Sequence, residues 1–323
     1  MDVLAGTKIR NQTSVQEFIL LGFPGTWYFQ MSLAGVFSVM FFLMILRNVS
    51  IIAVVRTHRR LHTPMYFFLC NLSFLEIWYT TACVPKAIDV ILGTNQTISF
   101  TVCLLQLFIL LSLGATECFL LAAMAYDRYL AICHPLRYSS LMNGTFSAQL
   151  AFLSWLCGFL AISVLVSLIS RLSFCGPNVI NHFICDIHSW IALSCTDTHL
   201  VELATFIDSF IVVMISCVIT LVSYIYIIAT ILRLPSAEGW QKAFSTCSAH
   251  LTVVTIWYSS AIFIFVKPSA KDTLDLNKTV SILSTIVTPL LNPFIYTLRN
   301  KEVKEALGKI VRGMLSDFRK ARV

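Results

Sequence analysis

Seven stretches of this chain are so long and so apolar that water is the wrong solvent for them. They run near 27–55, 64–90, 100–132, 146–170, 200–232, 243–266 and 276–298, and a bilayer is crossed by a helix of about 20 mostly apolar residues. In hydrocarbon each backbone N–H and C=O must find its partner within the segment, so spans of this length are helical. Hydrophobic residues make up 57% of the 323 and charged residues only 12%, a balance no soluble fold of this size can cover with polar surface. The expected architecture is an all-α membrane protein: a polar segment 1–26, a seven-transmembrane helix bundle over 27–298 and a tail 299–323. Short loops and one longer loop near 171–199 leave no room for a separate soluble domain.

Basic residues collect on the cytoplasmic side of short loops. With an external N-terminus, Arg56, Arg59, Arg60, Arg128, Arg137, Arg233, Lys242 and the basic run from Arg299 to Arg322 lie inside, against Lys8, Arg10, Lys86, Arg171, Lys267, Lys271 and Lys278 outside. The plasma membrane is the expected location, N-terminus extracellular and C-terminus cytoplasmic. The net charge of +7 then reflects topology and anionic lipid, because it is spread among loops instead of forming the single basic face that nucleic acid requires. Residues 1–26 lack the apolar core and small-residue cleavage site of a signal peptide, so the first span serves as its own insertion signal. Asn11 and Asn95 head luminal Asn-X-Thr sequons and are the expected glycosylation sites; Asn277 is a less accessible third.

Of eleven cysteines, Cys103, Cys175, Cys185 and Cys195 lie where an oxidising exterior reaches them, and four cysteines permit three pairings. Histidines 182, 188 and 199 interleave with them. A metal site there is disfavoured because disulfide sulfur is a poor ligand. Ionisable groups at membrane depth are functional candidates by default: Arg47, Glu76, Glu117 and Asp208. At 1.5 Å per residue Glu117 lies roughly 16 Å from Arg128 and Glu76 roughly 18 Å from Pro64, so the two acids share a depth. Asn48 and Asn292 come out nearby. Two close carboxylates in a low dielectric need a cation or a shared proton.

The wording at the span ends is more specific. Met124-Ala125-Tyr126-Asp127-Arg128-Tyr129, continuing to Cys133-His134-Pro135-Leu136, resembles the inner end of helix three of a rhodopsin-like G-protein-coupled receptor. Together with Pro64-Met65-Tyr66-Phe67-Phe68-Leu69, Lys242-Ala243-Phe244-Ser245-Thr246-Cys247-Ser248-Ala249-His250 and Pro289-Leu290-Leu291-Asn292-Pro293-Phe294-Ile295-Tyr296, it resembles a vertebrate odorant receptor of the tetrapod-type class over most of residues 11–311. The resemblance implies two bridges, Cys103 with Cys185 and Cys175 with Cys195. It implies sodium between Glu76, Glu117, Asn48 and Asn292, a protonated acid pair being the alternative; no other cofactor is expected. It also implies a small volatile odorant as ligand and a heterotrimeric G protein of the stimulatory, olfactory type as partner, with cAMP as the output and no enzymatic activity in the chain.

Registered on those motifs, helical stripes point into the outer half of the bundle. They comprise Leu107, Leu110, Leu111, Gly114 and Ala115 on span three and Thr205, Asp208, Ser209 and Val212 on span five. Span six adds Tyr258, Ala261, Ile262 and Phe265, and span seven Ile282 and Thr285. Such a lining is mostly apolar with a few hydroxyls and one acid, suited to a small ligand. Asp127, Arg128, Tyr129, Tyr224, Asn292, Pro293 and Tyr296 are the expected switch, Arg128 leaving Asp127 for Tyr224 and Tyr296 as helix six moves. Val303, Leu307, Ile310 and Met314 recur at helical spacing beside Lys and Arg, an amphipathic eighth helix on the inner leaflet. The chain departs from the family wording at Trp257-Tyr258-Ser259, where Phe-Tyr-Gly is usual, at Glu76, where Asp is commoner, and at Arg47, where Gly precedes the Asn. The rival readings are a non-olfactory chemosensory or peptide receptor on the same architecture, and a transporter or channel, which lacks a visible inverted repeat.

Overall fold

A computed structural model describes residues 15–175, 177–233, 247–248 and 250–259. In chain order it has β1 (Glu17–Leu20), α1 (Trp27–Thr57), a 3-10 turn (Arg59–Leu61), α2 (Pro64–Leu92), β2 (Thr97–Ser99), α3 (Phe100–Cys133), α4 (Tyr138–Leu141), α5 (Gly144–Ile169), β3 (Val179–Ile180), α6 (Ile187–Leu193) and α7 (His199–Ile231). Residues 250–259 are helical as well. Five of these helices, α1, α2, α3, α5 and α7, are long and apolar enough to cross a membrane, and they begin and end within a few residues of the first five expected spans. The rest of span six, span seven and the eighth helix lie outside the described residues.

Helix ends follow local chemistry. Thr26, Ser99 and Asn143 accept from the backbone N–H three residues on, at 3.4, 3.4 and 2.8 Å, and so cap α1, α3 and α5. Pro64 opens α2, where its missing N–H costs nothing, and Gly93 closes it at φ 68°, a left-handed conformation that glycine adopts without strain. α3 is the axis of the molecule: 72% of its most apolar window is buried inside the protein, against 28% for α1 and α5. It packs on α2, α5 and α7, while α1 packs on α2. The α3/α5 seam is tight at Gly158, where a Cβ would stand 2.2 Å from Thr116 Oγ1 and 2.7 Å from its backbone N.

The membrane layer is helical as expected. Outside it stands an unexpected three-stranded sheet in the order β2-β1-β3. The N-terminal β1 is its centre, antiparallel to β2 with Glu17 opposite Ser99, and parallel to β3 with Ile19 opposite Val179. Backbone emerging from hydrocarbon still needs hydrogen-bond partners, and here three segments distant in sequence supply one another. Phe18 and Leu20 are fully buried beneath the sheet. The Phe18 ring meets Phe100, Phe174 and Trp190 at centroid distances of 6.1, 5.6 and 5.2 Å, so the N-terminal strand, the start of α3, the long loop and α6 share one aromatic cluster.

Candidate functional site

At the C-terminal end of α3, Asp127 is buried and Arg128 is largely so. The guanidinium Nη2 stands 3.2 Å from Asp127 Oδ2 as an ion pair. The other carboxylate oxygen accepts from Tyr138 Oη at 2.7 Å. Tyr138 reaches it because α3 ends at Cys133 and the chain turns through Pro135 into α4, which folds back under the helix. Burial first, and then the Asp127 carboxylate beside it, push the Tyr138 phenol well above its usual range, so it remains a donor to Asp127 throughout physiological pH. Tyr129 points elsewhere, its Oη 3.0 Å from His134 Nε2.

Tyr224 on α7 does not contact Arg128 through a hydrogen bond among the described residues. Its Oη lies 2.7 Å from His250 Nδ1, with the two rings stacked at 5.8 Å. Arg128 is near enough for its charge to act on Tyr224, Cys247 and His250. Beside this group, Cys133 Sγ and Thr230 Oγ1 meet at 3.2 Å and tie α3 to α7. The structure therefore brings Asp127, Arg128 and Tyr224 into one inner region and adds two residues that sequence reading did not single out as switch members, Tyr138 and His250. His250 sits inside a quoted motif; Tyr138 carries no mark beyond following a helix-ending proline. Asn292, Pro293 and Tyr296 lie outside the described residues.

At the N-terminal end of α3, Cys103 joins Cys185, and within the long loop Cys175 joins Cys195, with Cα separations of 5.6 and 5.8 Å. A third residue reinforces the first bridge. Buried Gln106, one turn along α3, accepts from Cys185 N at 3.0 Å and donates to Ala82 O of α2 at 2.8 Å. Among the described residues no group of three or more His, Cys, Asp or Glu is clustered as metal ligands; His182 instead accepts from Ile184 N through Nδ1 and stacks on Phe183.

The expected ligand-facing residues divide in two. Leu107 and Leu110 are buried in the outer cluster with Cys103, Cys185, Ile187 and Val201, and Leu111 packs against it. Lower down, Ala115 of α3 and Val212 of α7 meet Cys118 and Ile162, with Trp257 alongside. Gly114 is partly buried with open space where a Cβ would be. Thr205 is buried and spends its hydroxyl on Val201 O at 2.7 Å. Asp208 and Ser209, one turn from Thr205 and Val212, are half-buried. Tyr258 is buried with its phenol toward Ser216 and Thr220 of α7. Ala261, Ile262, Phe265, Ile282 and Thr285 lie outside the described residues.

Asn48, Glu76 and Glu117 are all buried, on α1, α2 and α3, of which α2 packs against both of the others; Asn292 lies outside the described residues. Asn95 is exposed between α2 and β2, whereas Asn11 and Asn277 lie outside the described residues.

Long apolar spans, with two disulfides toward one end of α3 and an Asp-Arg pair at the other, mark a multi-pass membrane protein. A sequence model of olfactory receptors matches residues 37–314. Over 303 residues the chain is 62% identical to human olfactory receptor 6F1, covering 94% of this chain and 98% of that one. It is 58% identical to rat olfactory receptor 287 over 304 residues, with the same coverage of both. Human olfactory receptor 6B1 is 50% identical over 303 residues, 94% of this chain and 97% of its own. The chain belongs to the olfactory receptor family, a family of G-protein-coupled receptors and not of enzymes.

Proposed function

We propose that this protein is a seven-helix receptor that binds small volatile odorants among helices three, five, six and seven and thereby activates a stimulatory, olfactory-type G protein, raising cAMP. Its N-terminus is extracellular and its C-terminus cytoplasmic: the disulfides lie at one end of α3, and the exposed Arg56, Arg59, Arg60 and Arg137 gather toward the other. The observation that carries the reading is the inner group in which Asp127 is held by both Arg128 and Tyr138. A buried, paired arginine beside a separate Tyr224–His250 contact is a two-state element: Arg128 can exchange Asp127 for partners across the helix three, five and six seam. Ligand favours the exchanged state only by binding it more tightly.

Arg128→Ala tests this directly. Cells carrying the variant should reach the surface in wild-type amounts yet lose the cAMP response to a volatile panel; a preserved response would remove the switch assignment.

Asp208 is the polar anchor we assign to the ligand, since a half-buried acid in the outer part of a span is costly unless it serves a partner. A sodium ion held by Asn48, Glu76 and Glu117, with Asn292 as fourth contributor, is the proposed allosteric occupant of the mid-membrane core. Wild type should then show a sodium-dependent cAMP response that Glu117→Gln makes indifferent to sodium; the same dependence in both would leave the protonated pair. Asn11 and Asn95 are the proposed glycan acceptors.

A further inference from the structure

Two apolar layers join α3 to α7, and an acid stands between them. The first layer, beneath the Cys103–Cys185 bridge, gathers Leu107 and Leu110 of α3 and Val201 of α7, with Ala204 packed against it. The second gathers Ala115 and Cys118 of α3 and Val212 of α7, with Trp257 against the same cluster. Asp208 lies roughly two turns past Val201 and one turn before Val212, so it belongs to neither layer. The neighbours on its helix settle which way it faces. Val201, Thr205, Val212 and Ser216 along its stripe are buried, whereas Phe206, Ile207, Phe210 and Ile211 on the other side are exposed. On α3 the step between the layers is Gly114, one turn from Leu110 and one from Cys118, partly buried and with nothing within 4 Å of an added Cβ. An acid and an open space thus share the interval between two apolar layers.

Among the described residues no hydrogen bond or ion pair reaches the Asp208 carboxylate. The hydroxyls next to it on the stripe are spent on their own helix, Thr205 on Val201 O at 2.7 Å and Ser216 on Val212 O at 2.8 Å. Of the described cations toward this end of the bundle, Lys86 donates to Asn95 O and Thr97 O at 2.9 and 2.6 Å, and Arg171 is exposed beyond α5. A carboxyl group at membrane depth is costly unless a cation or a donor serves it. We propose that the ligand supplies that cation: the receptor is selective for volatile amines, whose ammonium pairs with Asp208 while the hydrocarbon portion fills the space beside Gly114. A primary ammonium brings a positive charge and three donors, and the walls at Leu111, Ala115 and Val212 suit an alkyl or cycloalkyl body. An alcohol offers a single donor without charge. A carboxylic acid sets a second negative charge against the first, which a low dielectric penalises. The amine class rests on the reading of this space as the odorant site and narrows it.

The test compares hexylamine, cyclohexylamine, hexan-1-ol, hexanal and hexanoic acid on the full-length receptor in nanodiscs, with affinity read from the concentration dependence of the thermal midpoint. At least one amine should bind about tenfold or more tightly than hexan-1-ol and hexanal, the difference that a charge-assisted bond makes, and hexanoic acid should not bind. Asp208→Asn should erase the preference and Asp208→Glu, which keeps the charge, should retain it. The head-group comparison in wild type decides the matter even where a variant folds poorly. Equal affinity for amine and alcohol, a preference that survives Asp208→Asn, or no binding of either amine overturns the proposal. The same compounds are then tested for cAMP in cells at matched surface expression. Amine-selective binding with no cAMP response leaves the site standing and removes the coupling reading. A cAMP response to hexan-1-ol or hexanal of equal potency in wild type and Asp208→Asn, with none to the amines, leaves the receptor reading standing and removes the amine site.

Discussion

Gly158→Ala is expected to destabilise the receptor by about 1–3 kcal/mol and to cut its surface expression sharply, although alanine is the better helix former. The added methyl stands 2.2 Å from Thr116 Oγ1, 2.7 Å from Thr116 N and 3.0 Å from Ser112 O. The hydroxyl can rotate aside, but two of the three obstacles are α3 backbone. Relief therefore requires α5 to move away from the helix around which the molecule is built. Between helices in a bilayer, close backbone approach over small residues is a principal source of cohesion, since lipid offers no hydrophobic drive. Gly35 on α1 is the matched control: nothing lies within 4 Å of its added Cβ, so Gly35→Ala should leave expression unchanged. The comparison is read by surface immunolabelling and by thermal inactivation of the detergent-extracted receptor. Equal behaviour of the two variants would show that the α3/α5 seam is not set by Gly158.

Phe18→Ala should cost about 3–5 kcal/mol, the range for deleting a buried phenyl ring, and should release the N-terminal strand from the outer face. Phe18 is fully buried and touches three other aromatic rings contributed by α3, the long loop and α6. Aromatic pairs contribute beyond the area they bury; without this ring Phe100, Phe174 and Trp190 still touch one another but lose their link to β1. β1 is also the middle strand, so its departure leaves both β2 and β3 unpaired. Limited proteolysis of the detergent-extracted receptor should then cut near residues 15–25 in the variant and spare the wild type. Glu17→Ala is the contrast, because that side chain is exposed while its backbone pairing with Ser99 survives. Wild-type protection in Phe18→Ala would mean that the strand is held by its backbone bonds alone.

The residues differ in how far sequence announces them. The five described spans are legible because hydrocarbon leaves a chain only one way to satisfy its backbone, and apolar length alone declares it. Asp127 and Arg128 are adjacent in the chain and stand out there as charges at a span end, although neighbours on a helix do not face each other by default and their pairing is seen only in the structure. Tyr138 is eleven residues beyond Asp127, and nothing in its surroundings tells that α4 turns back under α3. Tyr224 and His250 meet across 26 positions, and Gln106 reaches Cys185 across 79. The four outer cysteines were legible as a set; spacing alone left three pairings open, and resemblance chose the one that the structure contains. Thr205 and Asp208 sit on one helical stripe, yet Thr205 is closed onto its own backbone and Asp208 is not.

The sequence by itself determined the solvent of this protein, the number of long apolar segments it carries and the family wording at their ends, because hydropathy and short motifs are local properties. Tertiary structure alone decided which polar groups meet: Tyr138 with Asp127, His250 with Tyr224, Gln106 with the bridged loop, and an N-terminal strand set between two others as the roof over α3. The physical reason is range. A span is specified by its own residues, whereas a hydrogen bond between distant segments exists only after the helices have packed and brought both ends within about 3 Å.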